Sequence, residues 1–256
     1  MVHDWQHFQI SLGTAALVGK SLMDAGDGSL HRQFLPNTIS KLTLFLLLPL
    51  ILTSTPSSSS LWPSDPTFGF EELPLNQSNL HIQKPYDLPV SDRYSFIDGV
   101  HKLWVYSTDH PLSKGSPTRP RSEIMLNQYI YYSGVWQFEA YGYVPCGTSG
   151  VCITQVFGAQ FPRNTTLMLR VYNGSLYYYH GTVLVPNIYD RWFRVNIIHD
   201  VTASNLKVYI DGEYKFETIG YGGTFHYFKC GVYAQDNASY YMESCWKGIR
   251  VLKKGD

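Results

Sequence analysis

Tyr227-Phe228-Lys229-Cys230-Gly231-Val232-Tyr233-Ala234-Gln235 alternates in chemical character along its length, and a period of two is the signature of a β-strand. Successive strand side chains point to opposite faces. Phe228, Cys230, Val232 and Ala234 therefore make an apolar face, and Lys229, Tyr233 and Gln235 a polar one. Gly231 interrupts the polar face, where the missing side chain lets another group approach the backbone.

Outward from this stretch the β pattern persists. Tyr94 to Tyr106, Ser122 to Leu126, Tyr132 to Tyr143, Val151 to Phe157, Leu167 to Tyr172, Leu176 to Tyr179, Phe193 to Ile198 and Leu206 to Ile210 all read as strands, and no segment carries a helical stripe. Asn173-Gly174 and Asp211-Gly212 are two-residue hairpin signals, because the primed turns they allow match strand twist. The fold class that follows is all-β, two antiparallel sheets face to face in a sandwich or jelly roll.

The chain has 256 residues, with Lys plus Arg equal to Asp plus Glu at 20 each. No basic run or aromatic-basic stripe appears, so charge argues against nucleic acid as a partner. Residues 42–52 form an apolar run ahead of a serine tract. Eleven residues span only about 16 Å as a helix, against roughly 30 Å for a bilayer core, so the run reads as a signal-peptide core and the mature protein is expected to keep no membrane span. Residues 1–60 are thus expected to be an N-terminal extension that contributes nothing to the fold, and 61–256 a single domain. Sequons at Asn76, Asn164, Asn173 and Asn237 point with that run to a glycosylating secretory pathway.

The four cysteines, Cys146, Cys152, Cys230 and Cys245, lack the short spacing of zinc or redox sites. Cys146 and Cys152 flank a turn-rich tip and could close a short loop. Cys230 and Cys245 would face each other if Asp236 to Ser239 turned a hairpin. Inert buried thiols are the alternative.

Polar groups on three strands can converge on one sheet face. Arg121 shares a face with Glu123, Gln155 with Phe157, and Lys229 with Tyr233 and Gln235. An arginine fork matches a carboxylate bidentately, and lysine supplies a point charge. Glu123 reads as an internal partner for one of these cations as well as a groove residue, and Glu139 as a solvated residue on a strand of the same sheet.

Arg121-Ser122-Glu123-Ile124, then Gln155-Val156-Phe157, then the full Tyr227 to Gln235 pattern, stand in the order of the three motifs of the jelly-roll alginate lyases of polysaccharide lyase family 7, and the chain resembles that family over about Ser64 to Lys254. Stretches such as HKLWVYS, RWFRVNIIHDV and HYFKCGVY are similar to those of plant citrate-binding proteins, which share the fold and are vacuolar or secreted. The resemblance implies a concanavalin-like jelly roll with a ligand groove formed by Arg121, Glu123, Gln155, Lys229, Tyr233 and Gln235. In the lyases the residues matching Arg121 and Gln155 neutralise a uronate carboxylate, a motif histidine takes the carbon-bound proton, and the tyrosine matching Tyr233 protonates the leaving oxygen. Phe157 stands at the histidine position, and a lost general base typically forfeits about 10²- to 10⁴-fold in rate. His199 and His226 are expected to lie away from the groove.

The reading that follows is a monomeric secreted or vacuolar protein that binds a small carboxylate, citrate by resemblance, with no metal and no cofactor. A lyase acting on a uronate polymer through Tyr233 alone, or a cell-wall carbohydrate-binding module with aromatic groove walls, are the alternatives.

Overall fold

A computed structural model describes residues 64–255. The extension at residues 1–60, including the apolar run at 42–52, lies outside them. No helix among the described residues is long and apolar enough to cross a membrane.

Fifteen strands run β1 (Phe70–Leu73), β2 (His81–Gln83), β3 (Tyr94–Ile97), β4 (Val100–Tyr106), β5 (Arg121–Met125), β6 (Val135–Tyr143), β7 (Val151–Phe157) and β8 (Thr165–Tyr172). They continue as β9 (Ser175–Tyr178), β10 (Thr182–Val185), β11 (Trp192–Asp200), β12 (Asn205–Ile210), β13 (Glu213–Ile219), β14 (Tyr227–Ala234) and β15 (Tyr241–Lys254). Two antiparallel sheets result, one of eight strands in the order β13-β12-β11-β6-β15-β4-β3 with β1 also on β15, the other of seven in the order β10-β9-β8-β7-β14-β5-β2. The Asn-Gly and Asp-Gly turns join β8 to β9 and β12 to β13. Both of their residues have positive φ, 48° and 81° in the first and 56° and 82° in the second.

The apolar face of β14 forms the middle of the core. Phe228, Cys230, Val232 and Ala234 are all buried there with Leu103, Phe138, Met242 and Trp246. Removing a ring such as Phe228 by mutation to alanine would cost about 3–5 kcal/mol. Gly231 has φ +142°, and a Cβ there would sit 2.4 Å from the Ser122 carbonyl oxygen, so what approaches its backbone is the neighbouring strand β5 rather than a ligand.

Two expectations are corrected here. β14 and β15 do not form a hairpin: β14 pairs with β5 and β7 in the smaller sheet, and β15 with β4 and β6 in the larger. Cys230 and Cys245 therefore belong to different sheets, and Cys146, Cys152, Cys230 and Cys245 are all free thiols. Cys152 cannot reach across its loop to Cys146. It is buried within β7 and donates to the Thr154 carbonyl at 3.3 Å, whereas Cys146 is exposed beyond the end of β6. Burial pushes the Cys152 and Cys230 thiols above their ordinary range, which fits inert thiols.

Glu139 is the second correction. It lies on β6 in the larger sheet, and it is not solvated but 4% exposed. Arg250 Nη1 at 2.6 Å and Asn196 Nδ2 at 2.8 Å donate to it, and Arg194 lies 3.7 Å away.

Candidate functional site

The polar face of the smaller sheet forms the floor of a groove of about 480 Å³. Arg121 of β5, Gln155 and Phe157 of β7, Tyr233 of β14 and Gln235 just beyond it line this cavity. Four of the six residues expected to bind ligand thus share one wall, with Phe157 beside them.

Arg121 is held flat against Tyr233, its guanidinium carbon 3.7 Å from the ring centre. Its Nη1 donates to Glu123 Oε2 over a long 3.4 Å, and its buried Nε has no partner. Gln155 is buried and locked: Nε2 donates to Glu123 Oε1 at 2.5 Å and Oε1 accepts from Thr165 Oγ1 at 3.3 Å. Gln235 turns its amide onto the backbone, Nε2 donating to the Ala234 and Tyr233 carbonyls.

Glu123 and Lys229 are placed differently from the expectation that they touch the ligand. Both are 1% exposed, and neither is among the residues lining the groove. Lys229 Nζ donates to Gln83 Oε1 at 2.8 Å, lies 3.5 Å from Glu123 Oε2, and sits 5.1 Å from the centre of the Phe157 ring that covers it. Burial lowers the Lys229 pKa, and the Glu123 carboxylate opposes that shift. The pair is a support beneath the floor: Glu123 is the one counter-charge shared by Arg121 and Lys229. Alternation correctly gave the face of these residues, but depth on a face depends on what lies over it.

Phe157, the residue expected at the motif's histidine position, lines the groove. It stacks on Tyr227 at 4.8 Å and approaches Phe225 at 6.3 Å, giving one end of the groove an aromatic wall. His226 and His199 lie between the sheets, as expected away from the groove. Their rings meet edge-on at 4.6 Å, the His199 Nδ1 faces the Tyr131 hydroxyl at 3.0 Å, and His226 Nδ1 donates to the Gly158 carbonyl.

Two lining cations escaped the motif reading. Arg170 of β8 and Arg163 ahead of it both border the cavity. Arg163 lies 4.0 Å over the Tyr221 ring, and Arg170 lies 5.1 Å from Tyr179 with its Nη2 3.3 Å from Met168 Sδ. Neither has a carboxylate partner among the described residues. The strand pattern carried a signal for Arg170, since Leu167, Leu169 and Val171 point to the core and leave it on the groove side. Among the described residues the groove is thus lined by three arginines and by no aspartate, glutamate, lysine or histidine.

A sequence profile of the alginate lyase family matches residues 73–253. A citrate-binding protein of Hevea brasiliensis is 50% identical over 205 residues, covering 80% of this chain and 86% of that protein. Alginate lyase AlgAT5 of polysaccharide lyase family 7 superposes with a TM-score of 0.54 at 18% identity, over 68% of this chain and 93% of its own. An alginate lyase of Corynebacterium sp. gives 0.53 at 15%, over 70% and 91%. The solved structures carry the jelly-roll fold, and the half-identical plant relative narrows the kinship beyond fold. This chain belongs to the alginate lyase family and is a relative of a plant citrate-binding protein.

Proposed function

We propose that this protein binds a small carboxylate of several negative charges, citrate by its relative's name, in the groove of the smaller sheet. The observation that carries this reading is the composition of the groove wall: Arg121, Arg163 and Arg170 line it, and among the described residues no acidic side chain does. A lone buried Glu123 beneath the floor is already shared with Lys229, so the wall keeps a surplus of positive charge in a chain of zero formal net charge. Charge-assisted, planar donors of this kind are what carboxylates require. A volume of about 480 Å³ suits a compact ligand.

The same wall supports binding over elimination. Abstraction of a carbon-bound proton needs a base within hydrogen-bond reach, and apart from its arginines the wall offers only the phenols of Tyr233 and Tyr179 as titratable groups. Calorimetric titration with citrate, alginate oligouronates and a neutral glucan oligosaccharide tests the reading, together with ultraviolet absorbance for unsaturated uronate product. Citrate should bind, more weakly as salt rises, with no product formed. Turnover abolished by Tyr233→Phe would make the protein a lyase. Preference for the neutral sugar would make it a carbohydrate-binding module.

The reading extends to a monomer in the secretory pathway, bound for the vacuole lumen or the cell exterior. Asn76, Asn164, Asn173 and Asn237 are all exposed, which supports glycan attachment. A mass shift on endoglycosidase treatment of the protein from its own tissue tests this, and no shift would remove the glycan support.

A further inference from the structure

One transverse row crosses four strands of the smaller sheet. Arg121 on β5 is the register partner of Tyr233 on β14, Tyr233 of Cys152 on β7, and Cys152 of Arg170 on β8. Three inter-strand steps separate the two arginines, roughly 14 Å between backbones. Both side chains line the same cavity, and between them β7 contributes only the small, fully buried Cys152. Two long side chains rising from the ends of that span can close on one compact molecule.

The two arginines also share a deficiency. In each, the Nε atom is buried without a hydrogen-bond partner. Arg121 has only the long contact to Glu123 and the face of the Tyr233 ring, and Arg170 has a thioether sulfur, an aromatic face and the Tyr172 hydroxyl but no carboxylate among the described residues. A buried donor without an acceptor is unfavourable, and a carboxylate lying against Nε and a neighbouring Nη satisfies two donors at once. An unsatisfied guanidinium donor therefore stands at each end of the row.

We propose that Arg170 is a second carboxylate subsite opposite Arg121, so that the groove selects compact acids carrying carboxylates at two ends over acids carrying one. This rests on the reading of the groove as a carboxylate site and names the ligand class within it. Arg163, exposed at the rim against Tyr221, adds steering charge rather than a third fixed contact.

Calorimetry on the full chain with citrate, propane-1,2,3-tricarboxylate, glutarate and butyrate tests the proposal. The first three acids should bind at least tenfold more tightly than butyrate. Arg170→Gln should reduce the ratio of citrate to butyrate affinity at least tenfold, whereas Arg121→Gln should weaken every acid. Arg170→Lys, which keeps the charge but loses the planar fork, should fall between Arg170→Gln and the unmodified chain. Melting temperatures of the variants report whether folding is intact, and if Arg170→Gln fails to fold, the preference of the unmodified chain decides. Equal affinity for one-ended and two-ended acids, or a citrate-to-butyrate ratio indifferent to residue 170, overturns the second subsite while the carboxylate reading stands. Absence of binding by any of the four acids overturns both.

Discussion

The two sheets carry two ion clusters built to one plan, and they differ in a single ingredient. Beneath the groove, Glu123 is surrounded by Arg121, Lys229 and the amide of Gln155. On the larger sheet, Glu139 is surrounded by Arg250, Arg194 and the amide of Asn196. Each has one buried carboxylate, two cations and one amide donor. On the larger sheet the chain then supplies two more carboxylates, Asp65 at 2.8 Å from Arg194 and Glu72 at 2.8 Å from Arg250. The groove receives none, and Arg121 keeps an unpartnered Nε. The same chemistry is closed by the chain's own side chains in one place and left open in the other, and the open one is where a ligand's carboxylates would stand in for Asp65 and Glu72.

The comparison breaks most visibly at its centres. Glu123→Ala strands Arg121 and Lys229 in surroundings 9% and 2% exposed, and an uncompensated buried charge costs about 3–5 kcal/mol. Glu139→Ala leaves Arg194 and Arg250 with Asp65 and Glu72 and with more water, at 23% and 37% exposure. Its loss should therefore be smaller, about 1–3 kcal/mol. Urea denaturation of both variants checks the order. A Glu139→Ala loss equal to or larger than that of Glu123→Ala would mean that the outer carboxylates do not compensate for the inner one.

A third arrangement, buried polar groups without charge, sets the acid limit. Burial lowers the pKa of His199 to about 3, with the neighbouring His226 adding to the shift, and that of His101 to about 4, and it also lowers His226. A histidine whose folded pKa lies below its unfolded value of 6.5 is protonated more readily in the unfolded chain. The unfolded state then binds more protons between the two values, and stability falls as pH drops through that window. For His199 alone the loss is about 2 kcal/mol at pH 5. Asp65, where burial opposes the shift but the bonds to Thr67 and the Arg194 guanidinium bring the pKa down to about 2, acts in a separate window: its contribution is full above 3.8 and lost as pH falls toward 2. Thermal unfolding from pH 8 to pH 4 should fall from near pH 6.5 downward, and His199→Gln should flatten the curve. A decline that begins only below pH 4 would assign the acid sensitivity to the carboxylates instead.

Much of this was legible before any coordinates. The alternation of β14 gave its core face residue by residue, and the Asn-Gly and Asp-Gly pairs gave two hairpins. The three ordered motifs gave Arg121, Gln155, Tyr233 and Gln235 as one wall. What stayed hidden needed cross-strand information. β15 was missed because its fourteen residues mix faces through a bulge between Lys247 and Arg250, and the hairpin imagined in its place gave a wrong disulfide. Lys229 has the right face and the wrong depth, because Phe157, a residue 72 positions earlier, lies over it. Arg170 sits in an ordinary alternating strand and becomes notable only when register sets it in line with Arg121. Glu139 reads as solvated because its partners come from two strands distant in sequence, Arg194 and Asn196 from β11 and Arg250 from β15.

The smallest expected effect asks whether charge surplus alone makes a site. Asp65→Asn with Glu72→Gln would give the larger sheet the imbalance of the groove, two arginines on one buried carboxylate. Both removed carboxylates are about half exposed, at 47% and 53%, and exposed ion pairs contribute about 0–1 kcal/mol each, so the fold should lose little. Citrate stoichiometry should stay at one per chain. The freed guanidiniums of Arg194 and Arg250 remain 23% and 37% exposed, so water can solvate them and screen an incoming anion, whereas Arg121 is 9% exposed against the Tyr233 ring. On this argument desolvation by the groove walls matters as much as the missing carboxylate, and titration of the double variant should show a single site of unchanged affinity. A second, salt-sensitive citrate site in that variant would show that surplus positive charge is sufficient. The groove walls would then serve to choose among acids rather than to make binding possible.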